Sequence, residues 1–194
     1  MFSKTALLLA ISVLSHFSGV ALGSPTLEAR QSADNIVYVT NAAAFCMIMP
    51  RTPHTNIGDS EHPGGMQTYC SPSGKYDSSQ GQLSANFWSN IEFKTGTSSR
   101  GARFAQLTGC IRPETLDRLN SNDGGGQYDS SGGAGGLGNP QGSVCLGYNH
   151  YVELVEPGDR RACIKCCDNY DDCPLDKDTQ GCPNVIQGNY FDCW

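Results

Sequence analysis

The most constraining feature of this sequence is the density of cysteines towards its C-terminal end. Six of the ten cysteines lie within residues 163–194. Aspartates alternate with them, and carboxylates resist burial unless they are paired. This segment therefore cannot form an ordinary apolar core, and we expect cross-links between sulfur atoms to hold it. The six residues are Cys163, Cys166, Cys167, Cys173, Cys182 and Cys193.

The remaining four cysteines are spread through the body of the chain. An even number of cysteines in an exported protein favours complete pairing, here as five disulfides. We expect at least some of the four to connect the body to the C-terminal segment. The sequence leaves the pairing open, except that the neighbours Cys166 and Cys167 need different partners. The four residues are Cys46, Cys70, Cys110 and Cys145.

The first 23 residues have the pattern of a secretory signal peptide. Lys4 precedes a short apolar run, and small residues at Ala21 and Gly23 permit cleavage. The run is too short to span a bilayer. A second cleavage after Arg30 would release a propeptide of residues 24–30. We therefore expect an exported, soluble, extracellular protein.

Size and charge narrow the possible partners. Residues 31–194 fit a single disulfide-stabilised domain, with a cysteine-rich lobe at 157–194. The whole sequence has a net charge of −6, and loss of the signal peptide would make it more negative because Lys4 leaves with no acid. Nucleic acid is an unsuitable partner, since phosphate binding needs a basic field. No later apolar stretch is long enough for a membrane span, and we expect a monomer.

Short β-branched and aromatic stretches between glycine-rich turns indicate a mainly β fold. Only residues 113–119 have a helical pattern, with Pro113 in the first turn and Glu114 spaced to pair with Arg118. We predict a compact disulfide-rich sandwich or barrel with one short helix and the cysteine-rich C-terminal lobe. The clearest strand candidates are residues 36–40, 44–49, 66–70, 86–93, 102–111 and 143–155.

Two of these regions lead to more detailed expectations. Alternation in residues 86–93 places Phe87, Ile91 and Phe93 on one face of a half-buried strand and Trp88 on the other. Residues 124–138 contain eight glycines. They predict either a flexible surface loop or a segment where backbone packs very closely.

A histidine–carboxylate cluster lies in the loop after the second strand candidate. Copper or zinc accepts ligands such as His54, Glu61 and His62, and a loop can wrap around one ion. The alternative is an exposed polar loop that needs no cofactor.

Two further metal interpretations concern the C-terminal segment. Zinc could use its thiolates, although export favours disulfides, and calcium could use its aspartates, although their spacing does not match an EF-hand.

Three aromatic residues are candidates for stacking on sugar rings: Trp88, Tyr128 and Trp194. A role in the core is the alternative for each. Hydrolysis of a polysaccharide would need two carboxylates facing each other across a groove, and Glu92, Asp129 and Glu153 are candidate acids spread along the chain. Their spacing does not indicate that they meet, so the sequence does not indicate an enzyme.

Several segments together carry a family resemblance. They are Tyr151–Pro157, Arg161–Cys167, Asp172–Pro174, Asp178–Pro183 and Val185–Tyr190, with Met47–Gly58 further upstream. These segments resemble small secreted cysteine-rich proteins of filamentous, mushroom-forming fungi. The resemblance implies an effector-like protein at the cell wall or a host interface, and it assigns no catalytic residue.

Our leading hypothesis is therefore a non-enzymatic extracellular protein that binds a glycan or a host protein. An extracellular metal-binding protein using His54, Glu61 and His62 is one alternative. A carbohydrate-active enzyme, with Asp129 or Glu92 as its acid, is the other.

Overall fold

Two five-stranded β-sheets account for most of the structure. The computed structural model describes residues 32–131, 140, 142–177 and 179–193. These residues form ten strands and only two α-helices, α1 (Ile57–Ser60) and α2 (Cys182–Val185), which confirms the mainly β prediction. The predicted signal peptide (1–23), the propeptide (24–30) and Trp194 lie outside the described residues.

The first sheet has the strand order β4-β3-β2-β1-β8. Its antiparallel centre is β1–β2–β3, and the two edge strands β4 and β8 pair in parallel with β3 and β1. All six residues of β2 are buried, because both faces of this central strand are covered. The strands are β1 (Ile36–Val39), β2 (Phe45–Pro50), β3 (Met66–Cys70), β4 (Gly81–Gln82) and β8 (Val144–Cys145).

The second sheet has the strand order β5-β6-β10-β9-β7 and is antiparallel throughout. Its centre is the trio β6, β10 and β9, in which seven consecutive residues of β10 pair on both sides. The strands are β5 (Trp88–Thr97), β6 (Arg103–Ile111), β7 (Gly126–Asp129), β9 (His150–Glu156) and β10 (Arg161–Cys167).

The main core lies between the two sheets, so the molecule is a β-sandwich. Buried side chains of both sheets form a single cluster there. From the first sheet it includes Val37, Val39, Phe45, Met47 and Met49, and from the second Ala105, Leu107, Tyr128, Tyr151 and Ile164.

The C-terminal segment, residues 168–193, adds a third layer on the outer face of the second sheet. A separate apolar cluster joins Val152 and Leu154 of β9 to Val185 and Ile186 at the end of this segment. Among its described residues, regular structure is limited to a 3-10 turn at Tyr170–Asp172 and the helix α2, Cys182–Val185. We call this segment the C-terminal layer.

Disulfides hold the layers together. Cys163–Cys182, Cys167–Cys173 and Cys110–Cys193 join the C-terminal layer to the second sheet, Cys145–Cys166 joins the two sheets, and Cys46–Cys70 joins β2 to β3. No cysteine is free. The neighbours on β10 take different partners, as predicted, because successive strand residues point to opposite faces. Five bridges confirm the predicted disulfide-rich fold.

The prediction of a helix at residues 113–119 is wrong. Only Pro113–Thr115 forms a 3-10 turn, after which Leu116 is extended. Glu114 pairs with Arg160 at 2.8 Å, and Arg118 with its neighbour Asp117 at 3.1 Å. A two-turn segment is too short to be stable as a helix in isolation, and burial of the leucines at 116 and 119 determines its path instead.

Two other regions also depart from expectation. The single strand predicted for residues 143–155 is divided into β8 and β9, with Gly147 at a φ of 83° in the turn between them. Part of the glycine-rich stretch forms β7, which pairs with β9 from Gly126 to Asp129. Residues 132–138 of that stretch lie outside the described residues. None of the helices in the described part of the chain has the length and apolar character needed to cross a membrane.

Candidate functional site

A β-bulge determines on which face of the second sheet Trp88 lies. Trp88 pairs with Ile111, whereas Asn90 pairs with the preceding residue, Cys110, so Ser89 is the extra residue. One extra residue reverses the alternation of faces. Trp88 therefore lies on the same face as Ile91, and both pack against the core between the sheets. The predicted placement of Trp88 on the opposite face is wrong for this reason.

The Trp88 side chain lines an open pocket of about 370 Å³. We call this cavity the Trp88 pocket. The β1–β2 loop, the start of β2, the loops that follow β3 and β4, and the first half of β5 together form its walls. The lining is mainly apolar, with three serines: Ala42, Ala43, Phe45, Ser71, Pro72, Ser73, Leu83, Ser84, Ala85, Trp88 and Ile91.

Aromatic contacts fix the Trp88 ring. Its centroid lies 5.8 Å from that of Phe87 and 6.3 Å from that of Phe45, and both pairs are nearly perpendicular. Edge-to-face geometry of this kind is the favourable arrangement for aromatic rings. The ring is half-buried. Trp88 is therefore a preorganised apolar surface, which reduces the entropy lost when a ligand binds.

The serine hydroxyls at the rim are already engaged by the backbone. Ser71 Oγ donates to Ala43 O at 2.7 Å, and Ser73 Oγ donates to the same oxygen. Ser84 Oγ accepts from the Asn86 N–H at 3.2 Å. No titratable side chain is among the described residues that line this pocket. Its chemistry suits holding an apolar or saccharide surface, whereas acid–base catalysis would need an ionisable group.

A larger cavity, about 470 Å³, lies at the end of β9 and β10. Its charged groups satisfy one another: Glu156 accepts from Arg161 Nε at 2.7 Å and from the Cys182 N–H at 3.2 Å. Arg161 also donates to Asp159 at 2.6 Å. A ligand would have to displace these bonds, so we interpret the network as structural and favour the Trp88 pocket as the binding site.

The other two aromatic candidates have different outcomes. Tyr128 is wholly buried, and its hydroxyl lies 2.7 Å from Ser60 Oγ. Burial raises the pKa of this phenol well above its usual value, despite the hydrogen bond with Ser60. A ring enclosed in the core cannot stack on a sugar, so the prediction for Tyr128 is wrong. Trp194 lies outside the described residues.

The sequence did not reveal the most unusual buried group, Glu153. It lies between the sheets, where its Oε2 accepts from the Ile48 N–H at 2.9 Å. This part of β2 extends beyond its pairing with β1, so the carboxyl replaces a missing strand partner. Burial raises the pKa of Glu153 well above its usual value. On β9 Glu153 shares its face with Tyr151 and Val155, and these apolar neighbours are the sequence signal that could have indicated its burial.

The histidines of the predicted copper or zinc site, His54 and His62, lie in the segment between β2 and β3. Among the described residues no cluster of three or more His, Cys, Asp or Glu could hold an ion. His62 Nδ1 lies 3.2 Å from Pro63 O, and the backbone N–H of His54 donates to Asp117 O at 2.8 Å. Glu61 faces Gly126 of β7. A copper or zinc ion held by His54, Glu61 and His62 stays a prediction, which metal analysis of the purified protein would test.

The zinc interpretation of the C-terminal segment is wrong, and the calcium interpretation stays a prediction. Every cysteine there is in a disulfide, so no thiolate is present for zinc. Some of the described aspartates bind arginines. Asp168 pairs with Arg103 at 2.7 Å, and Asp172 with Arg100 at 3.1 Å.

The carboxylates considered for hydrolysis do not face one another. Glu92 is on β5 and Asp129 on β7, the two opposite edges of the second sheet. Four strand spacings separate them by about 19 Å, roughly twice the largest distance between the two acids of a glycosidase. Glu153 lies inside the sandwich. The geometry therefore gives no support to a paired-carboxylate enzyme.

These features define a class of protein: a disulfide-stabilised β-sandwich with a covalently attached third layer and an aromatic-lined pocket. Comparison with protein-family models, with curated proteins and with solved structures finds no match.

Proposed function

We propose that this protein is a non-enzymatic extracellular binding protein that holds the apolar face of a neutral sugar ring in the Trp88 pocket. The observation that supports this function is a half-buried, rigid tryptophan in an open apolar pocket with hydroxyl groups at its rim. Aromatic surfaces of this kind bind the C–H face of a sugar, while neighbouring oxygens accept bonds from its hydroxyls.

The size of the pocket favours a glycan over a host protein. A cavity of about 370 Å³ accommodates a small ring, whereas a stable protein interface buries about 800 Å² on each partner. Five disulfides suit an oxidising, extracellular setting. The resemblance to secreted cysteine-rich fungal proteins supports placing this binding at a fungal cell wall or a host interface.

Tryptophan fluorescence offers a direct test. The protein has two tryptophans, so Trp194→Phe leaves Trp88 as the only reporter. Chitin, cellulose, β-1,3-glucan and mannan oligomers are titrated into this variant. We expect saturable changes in Trp88 emission with at least one oligomer and no release of reducing ends. If no oligomer binds, or if an oligomer is hydrolysed, the proposal is wrong.

A matched pair of substitutions locates the binding. Ala43→Phe fills the pocket from an exposed loop position and leaves the core unchanged. Ser78→Phe adds an aromatic ring at an exposed position outside the pocket. We expect Ala43→Phe to weaken binding at least about tenfold and Ser78→Phe to have no effect. Equal affinity of the two variants would contradict the assignment.

A further inference from the structure

The outer face of the second sheet contains a row of cations that the Trp88 pocket does not use. On this face Lys94 of β5 lies opposite Gln106 of β6, and Gln106 lies opposite Lys165 of β10. Directly opposite residues in a sheet project on the same side. The two lysines therefore flank Gln106, and all three line one cavity of about 350 Å³.

The C-terminal layer and a turn complete this cavity, which we call the lysine pocket. Arg100 comes from the β5–β6 turn, and Lys177 comes from the C-terminal layer. The described residues that line it include four cations and two acids: Lys94, Arg100, Lys165 and Lys177 against Asp171 and Asp172. The cavity is thus positive in a protein whose net charge is −6.

The two acids form their ion pairs with the arginine. Arg100 binds Asp172 at 3.1 Å and Asp171 at 3.5 Å, and Ser98 Oγ donates to Asp172 at 2.6 Å. Among the described residues no ion pair joins Lys94, Lys165 or Lys177 to a carboxylate. Three ammonium groups are therefore available to an anion.

Lys165 lies in an environment that disfavours its positive charge. Its Nζ lies 5.0 Å from the centroid of the Phe104 ring, and the side chain is half-buried. Burial lowers the pKa of Lys165, and the positive charges of Lys94 and Arg100 lower it further, although Asp172 acts in the opposite direction. An anion between these cations would relieve their repulsion.

We propose that the lysine pocket binds the anionic group, a carboxylate or a sulfate, of an acidic saccharide. Lysines act as point charges and do not require the bidentate geometry that arginine provides. Phe104 and Val185 supply apolar surface for the sugar ring. The negative net charge opposes a densely charged polyanion such as nucleic acid but not a saccharide with isolated charges. This site is separate from the Trp88 pocket, which lies on the other face of the sheet.

Calorimetric titration of the disulfide-intact protein at low salt tests the proposal. The probes are a galacturonic acid oligomer, a sulfated oligosaccharide, an uncharged oligomer of equal length and inorganic phosphate. We expect binding of at least one acidic oligomer that weakens as salt is added. Binding of the uncharged oligomer with equal affinity, equal affinity for phosphate alone, or no binding of either acidic oligomer would overturn it.

Two exposed lysines provide a matched comparison. Lys94→Gln removes one charge from the lysine pocket, and Lys75→Gln removes one from a loop beside the first sheet. We expect Lys94→Gln to weaken binding of the acidic oligomer about tenfold and Lys75→Gln to leave it nearly unchanged. An equal loss in both variants would show that the overall electrostatic field of the protein attracts the ligand. That result would overturn the proposal that the lysine pocket is the binding site. Circular dichroism confirms that each variant is folded.

Discussion

At the scale of single residues, Glu153 has the largest electrostatic consequence. The carboxyl is enclosed between the sheets, where its Oε2 accepts a hydrogen bond from the Ile48 N–H. Its Oε1 has no hydrogen-bond partner among the described residues. A charged carboxylate at this position would be expensive. Burial therefore favours the neutral, protonated form of Glu153 and raises its pKa well above the usual value.

This protonation makes stability depend on pH in a definite direction. Below the ordinary pKa of about 4.3, Glu153 is neutral in both states and its contribution to stability is fully present. Above that value the unfolded chain ionises while the folded chain does not, so stability falls by up to about 1.4 kcal/mol for each pH unit. The loss continues until pH reaches the raised pKa of the folded protein.

Glu153→Gln should remove this pH dependence. The amide oxygen can still accept from Ile48, and the side chain cannot ionise. We expect the variant to gain stability relative to the original protein as pH rises from 5 to 8, measured by urea denaturation at several pH values. Glu114→Gln is the control, because hydrogen bonds from its own backbone and from Arg160 lower the pKa of Glu114. Parallel pH profiles for the original protein and Glu153→Gln would contradict the prediction.

At the scale of elements, the bulge in β5 determines the shape of the Trp88 pocket. Gly109 of β6 lies opposite Ile91, with a φ of 154°. A Cβ atom there would lie 2.2 Å from Asn90 O and 3.1 Å from Ile91 Cα. Both contacts are with backbone, which cannot rotate away. The close approach of the two strands next to the bulge therefore requires glycine.

Gly109→Ala should destabilise the protein by about 2 kcal/mol or more, since the strands must separate. We also expect altered Trp88 emission, because the bulge positions that ring. Gly96→Ala is a matched control in the same pair of strands, where the nearest atom is a Phe104 ring carbon at 3.7 Å. Denaturation curves should show a change within about 0.5 kcal/mol for the control. Equal stability of the two variants would refute the role of Gly109.

The elements also show which parts of the structure a sequence can predict. Strands β1, β2, β3 and β6 were predictable because alternation and β-branched residues are local signals. The bulge was not, since it depends on Gly109 across the sheet. Strand β7 was missed because its glycine-rich sequence has little β-propensity and is held by pairing with β9. The lysine pocket could not be predicted from the sequence either, because only the pairing register of β5, β6 and β10 brings Lys94 and Lys165 together.

At the scale of the whole molecule, the disulfides differ in how much of the unfolded chain they constrain. Cys110–Cys193 joins residues 83 apart, whereas Cys167–Cys173 joins residues 6 apart. Closing a longer loop removes more entropy from the unfolded state. The bridge that connects β6 to the end of the C-terminal layer should therefore contribute more to stability than the local one.

Paired substitutions measure this difference. Cys110→Ala with Cys193→Ala should lower the free energy of unfolding by about 4 kcal/mol, and Cys167→Ala with Cys173→Ala by about 2 kcal/mol. Guanidinium denaturation of the two double variants, compared with the original protein, gives both values. The reverse order would show that native-state contacts of the short bridge outweigh chain entropy.

The covalent attachment of the C-terminal layer also affects which substitutions the protein can tolerate. Three bridges fix its path over the second sheet, and little regular secondary structure contributes. Exposed side chains between those cysteines can therefore be replaced without loss of a helix or a strand. The chemistry of this surface, including the charge of the lysine pocket at Lys177, is free to diversify while the sandwich beneath stays constant.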